Sequence, residues 1–168
     1  MKIYLASDHA GFELKSQITH WLEENGFDAT DLGPAKYDAH DDYPDFIAVV
    51  AEEVSKEPVE ARGIVIGLSG QGEAIVANKF ANVRAGLFYG IPASAPGSTS
   101  GGASDPDEIV KLVRQHNDAN ILSLGARFLS PNQAIHAVEI WLETQFSNEP
   151  RHARRLQKIS DIEKKIGL

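Results

Sequence analysis

Cysteine is absent from this 168-residue chain, which excludes disulfides and thiolate chemistry. No apolar run is long enough to cross a bilayer, so no membrane partner is expected. The opening Met1-Lys2-Ile3-Tyr4-Leu5-Ala6-Ser7 goes straight into a strand-like segment. It lacks the apolar core and small-residue cleavage site of a signal peptide, and a cytoplasmic location is expected. Positive charge is also scarce: 16 Lys and Arg stand against 24 Asp and Glu, a formal net charge of -8. Such a surface repels nucleic-acid backbones, so no nucleic-acid partner is expected. The basic charge is concentrated in Arg151-His152-Ala153-Arg154-Arg155. A local cationic cluster on an acidic chain suits a small anion better than a polyanion.

What is present is ordinary for a globular protein, with 42% hydrophobic and 24% charged residues. The length favours one domain, residues 1–168. Short β-branched apolar runs alternate with amphipathic stretches. Strands are predicted at Ile3–Ser7, Phe27–Leu32, Gly63–Gly67, Val83–Tyr89 and Ile121–Leu124. Helices are predicted at Gly11–Asn25, ended by Gly26, at Tyr43–Glu53, and at Glu73–Phe80. Asp105-Pro106-Asp107-Glu108 starts another, Ser130-Pro131 opens the next, and Arg151–Ile166, within a tail of residues 151–168, forms the last. In that last helix Leu156, Ile159, Ile162 and Ile166 make an apolar stripe. Between them, Gly90–Ser104 is nearly all Gly, Ser, Ala, Pro and Thr and reads as a flexible loop. The alternation implies an α/β fold, a Rossmann-like three-layer αβα sandwich on a five-stranded parallel sheet.

Such sheets bind ligands at the carboxyl ends of their strands. Asp8-His9, the loop Gly67-Leu68-Ser69-Gly70-Gln71-Gly72-Glu73, and Gly125-Ala126-Arg127 each follow a strand and should converge on one crevice. Gly70 and Gly72 permit a close approach of backbone to ligand, so the loop can hold a phosphate or an enolate-like oxyanion. A tight strand–helix turn with no ligand is the plainer alternative. The loop is neither a P-loop nor a full dinucleotide fingerprint, because Ile75 stands where the third glycine belongs. Glu73 is either a surface carboxylate favoured by its helix terminus or a general base beside an oxyanion site. His116-Asn117-Asp118 reads as a helix C-terminus, and Arg151 and Arg155, four apart, share a helix face. A turn before Tyr43-Pro44 explains Asp41, Asp42 and Asp45 better than a metal site does, and no metal is expected.

The order of these segments carries more than any one of them. Ser7-Asp8-His9-Ala10-Gly11, Asp42-Tyr43-Pro44, Gly70-x-Gly72, Ala77-Asn78-Lys79, Arg84-Ala85, His116-Asn117-Asp118-Ala119-Asn120, Gly125-Ala126-Arg127 and Arg151-His152-Ala153-Arg154-Arg155 run in one series. The series resembles the ribose-5-phosphate isomerase B family, which includes the galactose-6-phosphate isomerase subunits. The resemblance implies aldose–ketose interconversion of ribose 5-phosphate and ribulose 5-phosphate through a cis-enediolate, with no metal and no organic cofactor. It implies His116 as the ring-opening acid, and Asp8 and His9 as sugar contacts. The backbone from Leu68 through Gly70 and Gln71 to Gly72, with Ser69, would hold O1 and O2. Asn117 would bind sugar hydroxyls, and Arg127, Arg151 and Arg155 would surround the phosphate. It further implies a homodimer or homotetramer with sites at the subunit interface.

Two departures from the family pattern matter. Many members carry a catalytic Cys where this chain has Gly67; a subgroup lacks it and places a Glu directly after the last glycine, as Glu73 stands here. Glu73 is therefore the expected base. The Gly90–Ser104 loop is the second departure and leaves other aldose phosphates, a tetrose or a hexose, open as substrates. A non-catalytic sugar-phosphate-binding protein and a nucleotide-binding oxidoreductase are the remaining alternatives.

Overall fold

The computed structural model describes residues 1–90 and 107–167. Five strands, β1 (Lys2–Ser7), β2 (Asp28–Asp31), β3 (Ala61–Gly67), β4 (Ala85–Phe88) and β5 (Ile121–Gly125), form one sheet in the order β2-β1-β3-β5-β4. Every pairing is parallel. Six helices accompany them among the described residues: α1 (Phe12–Glu24), α2 (Tyr43–Lys56), α3 (Gln71–Ala77), α4 (Glu108–Asn117), α5 (Pro131–Glu143) and α6 (Pro150–Ile166). This is the expected α/β layering.

The central strands β1, β3 and β5 are apolar on both faces because both are covered, whereas the edge strand β2 is polar. Ile3, Leu5, Ile64, Ile66, Leu122 and Leu124 point toward α1, α4 and α5, where Leu14, Ile18, Val110, Val138 and Trp141 meet them. The intervening positions Ala6, Val65 and Ile121 point toward α2 and α3, against Ile47, Val50, Val54 and Ala77. This period of two assigns each strand residue to one core or the other.

Several boundaries differ from those predicted, each for a local reason. The helix predicted at Glu73–Phe80 begins at Gln71, because Gly70 adopts φ 74°, a left-handed conformation that turns the chain into the helix two residues earlier. It ends at Ala77, where Asn78 donates to the Ala74 carbonyl (2.9 Å) and accepts from the Ala85 N–H (2.9 Å). The fourth strand shortens to Ala85–Phe88 because the Arg84 N–H is taken by Asn120 Oδ1 at 2.8 Å. Ser130 and Gln133 close a capping box at the start of α5. The predicted start at Asp105 and Pro106, and the Gly90–Ser104 loop beyond Gly90, lie outside the described residues; α4 begins at Glu108 with Asp107 at its N-cap.

α6 differs from the other helices. His152 is its one buried residue among those described, and Ile159, Ile162 and Ile166 are 44%, 57% and 65% exposed. The predicted apolar stripe exists, yet within one chain it covers nothing fully. It borders a cavity of about 430 Å³ that Val83, Ala85, Val113 and Asn117 also line.

Candidate active site

β1 and β3 are neighbours, and β5 lies beside β3, so the segments after these three strands meet at one edge of the sheet. The Ala126 and Arg127 N–H groups donate to the Gly67 and Leu68 carbonyls at 2.8 and 3.1 Å. Ser123 Oγ donates to the Gly70 carbonyl at 2.6 Å. A Cβ on Gly11 would lie 2.5 Å from the Ile66 carbonyl oxygen, so the turn after β1 is drawn tightly against β3. The expected convergence of Asp8-His9, the glycine loop and Arg127 is thus what the fold produces.

The Glu73 carboxylate lies within this crevice. Glu73 is only 4% exposed. Burial pushes its pKa above the usual carboxylate value; a hydrogen bond from its own backbone N–H opposes this, and the charge of nearby Asp8 adds to the rise. The surface alternative for Glu73 does not hold. A Cβ on Gly67 would overlap the Glu73 carboxylate, and a Cβ on Gly72 would meet the Tyr43 ring at 2.7 Å. Both glycines are thus required by close approach. The backbone N–H groups of Ser69, Gly70 and Gly72 donate to no acceptor among the described residues, and Gln71 N–H donates to Ser69 Oγ at 3.3 Å. Free donors beside a buried carboxylate suit oxyanion stabilisation next to proton transfer. Leu68 and Arg127 are exposed at the mouth.

Asp8 and His9 are held firmly. Asp8 Oδ1 accepts from the Ala10 and Gly11 N–H groups at 3.0 and 3.2 Å. His9 Nδ1 lies 2.6 Å from Asp41 Oδ1, and the His9 backbone N–H donates to the same oxygen at 3.0 Å. That bond to Asp41 raises the His9 pKa. Asp41 is therefore more than a turn residue: its side chain is 6% exposed. Sequence reasoning missed it because the contact spans 32 residues. Tyr43, which closes over Gly72, was visible only as part of a motif. Asp8, His9 and Asp41 offer ligand-type atoms within 4.8 Å of one another, and the hydrogen bonds just described engage Asp8 Oδ1, His9 Nδ1 and Asp41 Oδ1.

The other predicted residues lie elsewhere. α4 ends at Asn117, just before the amino end of β5, which places His116 and Asn117 at the edge opposite Glu73. Arg84 secures that turn, its guanidinium donating to the Asn117 and Asp118 carbonyls at 3.1 and 2.9 Å. His116 packs against His152, ring centroids 4.1 Å apart. His152 is buried, with Ser147 Oγ 2.8 Å from its Nδ1. Burial lowers its pKa, and His116 and Arg151 push the same way. Arg151 and Arg155 are exposed on the same helix, Arg151 Nε donating to Glu149 at 2.8 Å. A five-residue strand spans roughly 15 Å. The predicted residues therefore fall into two groups, Glu73, Ser69, Asp8, His9 and Arg127 at one edge and His116, Asn117, Arg151 and Arg155 at the other.

Fold and crevice together define a class: a parallel α/β protein with a buried carboxylate and a glycine loop at the carboxyl edge of its sheet. The comparisons with known proteins specify it further. The ribose/galactose isomerase family profile matches residues 3–95 and 96–159. Ribose-5-phosphate isomerase B of Mycolicibacterium paratuberculosis is 37% identical over 164 residues, covering 98% of this chain and 92% of that one. The Mycoplasma genitalium ribose-5-phosphate isomerase B structure with bound ribulose-5-phosphate superposes with a TM-score of 0.85 at 37% identity, covering 97% and 96% of the two chains. The Clostridium thermocellum ribose-5-phosphate isomerase B structure gives 0.84 at 37% identity, covering 99% of each. The chain belongs to the ribose/galactose isomerase family, and with it to the aldose–ketose isomerases.

Proposed function

We propose that this chain interconverts ribose 5-phosphate and ribulose 5-phosphate, with Glu73 as the base. The observation that carries this reading is the buried Glu73 carboxylate filling the space at Gly67, beside a loop of unengaged N–H donors. A C–H next to a carbonyl is a weak acid, so the base must act while the developing oxyanion is stabilised. After ring opening, Glu73 takes the proton from C2 of the aldehyde. The electron pair forms the C1–C2 double bond, and the carbonyl electrons move to O1. The N–H groups of Ser69, Gly70 and Gly72 hold the resulting cis-enediolate at O1 and O2, with Leu68 and Gln71 shaping the same loop. The O2 proton passes to O1, the C2 carbonyl forms, and return of the proton from Glu73 to C1 gives the ketose. The raised Glu73 pKa suits a group that must both accept and return a proton near neutrality.

The two groups at opposite edges are reconciled by a homo-oligomer in which each site takes Glu73, Asp8 and His9 from one protomer and His116, Asn117, Arg151 and Arg155 from its partner. His116 then serves ring opening, Asn117 holds sugar hydroxyls, and the arginines, with Arg127, hold the phosphate. The exposed Ile159, Ile162 and Ile166 supply apolar surface for the association. Gly67 and Glu73 support a reading of the chain as one of the subgroup that lacks the catalytic cysteine. A cytoplasmic setting accords with this substrate.

Incubation with ribose 5-phosphate, a tetrose phosphate and a hexose phosphate in deuterated water tests the reading. Ketose formation with deuterium incorporation, fastest on the pentose, is expected. Absence of both on all three sugars contradicts it.

A further inference from the structure

The turn that follows β1 exposes one ring nitrogen of His9 and ties down the other. Asp41 Oδ1 receives both the His9 backbone N–H, at 3.0 Å, and the ring Nδ1, at 2.6 Å. Two bonds to one oxygen fix the ring relative to its own backbone, leaving little freedom at χ1 or χ2. Tyr37 meets the ring edge-on, centroids 6.4 Å apart at 88°, and packs against Phe12 in the same manner at 6.0 Å. Nε2 makes no hydrogen bond among the described residues, and the side chain is 35% exposed.

Asp41 is costly where it sits. Its side chain is 6% exposed, and its Oδ2 is buried with no hydrogen-bond partner. An unsatisfied carboxylate oxygen in the interior destabilises a fold, and a fold selected for stability alone would not keep one. The bond to His9 is what this carboxylate does. A carboxylate accepts and cannot donate, so the neutral imidazole must carry its proton on Nδ1 and present Nε2 as a bare acceptor.

We propose that Asp41 is a positioning residue for His9: it fixes the Nδ1–H tautomer and aims Nε2 at the substrate beside Glu73. In this arrangement Nε2 is oriented to accept from a sugar hydroxyl, or to donate to a sugar or phosphate oxygen when the ring is protonated. The groups facing the ring are Asp8 from the β1 turn and Asp41 and Tyr37 from the segment before α2. The role in turnover rests on the isomerase reading above; the tautomer does not.

The test uses full-length, ¹⁵N-labelled protein. Ring nitrogens of His9 are assigned by their loss in His9→Gln and read at a pH where the ring is neutral. The wild-type should show Nδ1 protonated and Nε2 bare. Asp41→Ala should shift His9 toward the Nε2–H form that free histidine prefers. Asp41→Asn should keep Nδ1–H, because the His9 backbone N–H holds the amide oxygen in place. On ribose 5-phosphate, Asp41→Ala should lower kcat/KM about tenfold or more, with Asp41→Asn between it and the wild-type. Asp41→Ala/His9→Gln should be no worse than His9→Gln alone, since both changes remove one function. An unchanged His9 tautomer in Asp41→Ala overturns the proposal. If Asp41→Ala fails to fold, loss of Nδ1–H in Asp41→Asn overturns it. Multiplicative losses in the double variant overturn the catalytic part alone. Should the protein turn over no sugar phosphate, the isomerase reading fails and the nitrogen signals still decide the orientation.

Discussion

The Glu73 carboxylate stands where a side chain on Gly67 would begin. A Cβ there would overlap Oε1 and Cδ of Glu73, and both residues are buried. A side chain at 67 and a carboxylate from 73 thus compete for one volume. In family members with a cysteine at the first position, the thiol comes from the end of the strand. Here the Glu73 carboxylate comes back from the first turn of α3 to fill the same space. Gly67→Cys should therefore inactivate the protein by displacing Glu73, and should destabilise it by about 1–3 kcal/mol through overpacking. Gly67→Cys/Glu73→Ala should regain much of that stability. Urea unfolding of the four proteins of this cycle checks it; additive effects would mean that the two positions do not share space.

A buried carboxylate with a raised pKa also makes stability depend on pH. The folded state holds the Glu73 proton more tightly than the unfolded chain, whose reference pKa is 4.5. Between the two pKa values the native state binds more protons, so stability falls as pH rises through that window. Below the unfolded value Glu73 carries no such penalty. Glu73→Gln should therefore match the wild-type in acid and exceed it in stability at neutral and higher pH. Thermal melts from pH 4 to about pH 9 follow the gap; a gap that closes as pH rises would reverse the sign.

The separation of Glu73 from His116 and Arg155 predicts complementation. Glu73→Gln and Arg155→Ala homo-oligomers should both be nearly inactive. In mixed dimers that pair one of each, one site carries both defects and the other neither. Random reassortment at equal amounts gives about a quarter of wild-type activity. Mixing after mild dissociation, with turnover measured over time, checks this. Activity that never rises above that of the unmixed variants would place all the groups of a site in one chain.

Lys15 is a structural charge rather than a functional one. It is 1% exposed, and its Nζ donates to Asp31 Oδ1 and to the Pro34 carbonyl, both at 2.7 Å. It ties α1 to the chain leaving β2, which leads toward Asp41. Lys15→Met keeps the apolar stem but leaves both acceptors without it, which should destabilise by about 1–3 kcal/mol. Chemical denaturation measures that loss, and an unchanged midpoint would make the Lys15–Asp31 pair energetically neutral.

The sequence made some of this legible and hid the rest for definable reasons. The strands of both cores were readable because doubly covered strands are continuous β-branched runs, such as Gly63–Gly67. The glycine loop and Glu73 were readable because a strand, a turn and a helix start adjoin in sequence. The burial of Glu73 was not, since it depends on the missing side chain at Gly67, at the end of another element. Asp41 was hidden by 32 residues of separation from His9 and by an acidic stretch that resembles a surface turn. The opposite placement of His116 and Glu73 follows from helix direction in a parallel sheet. It could have been read from α4 preceding β5, but the motif order alone obscures it.

The most direct test of the role of Glu73 is solvent exchange in Glu73→Gln. The amide preserves the shape of the side chain and removes its basicity. Ribose 5-phosphate is incubated with this variant in deuterated water, and deuterium at C2 of recovered substrate and at C1 of product is followed by NMR. The account predicts binding close to that of the wild-type, with exchange and ketose formation lowered at least about a thousandfold. Exchange within about tenfold of the wild-type rate would contradict it and remove Glu73 as the base.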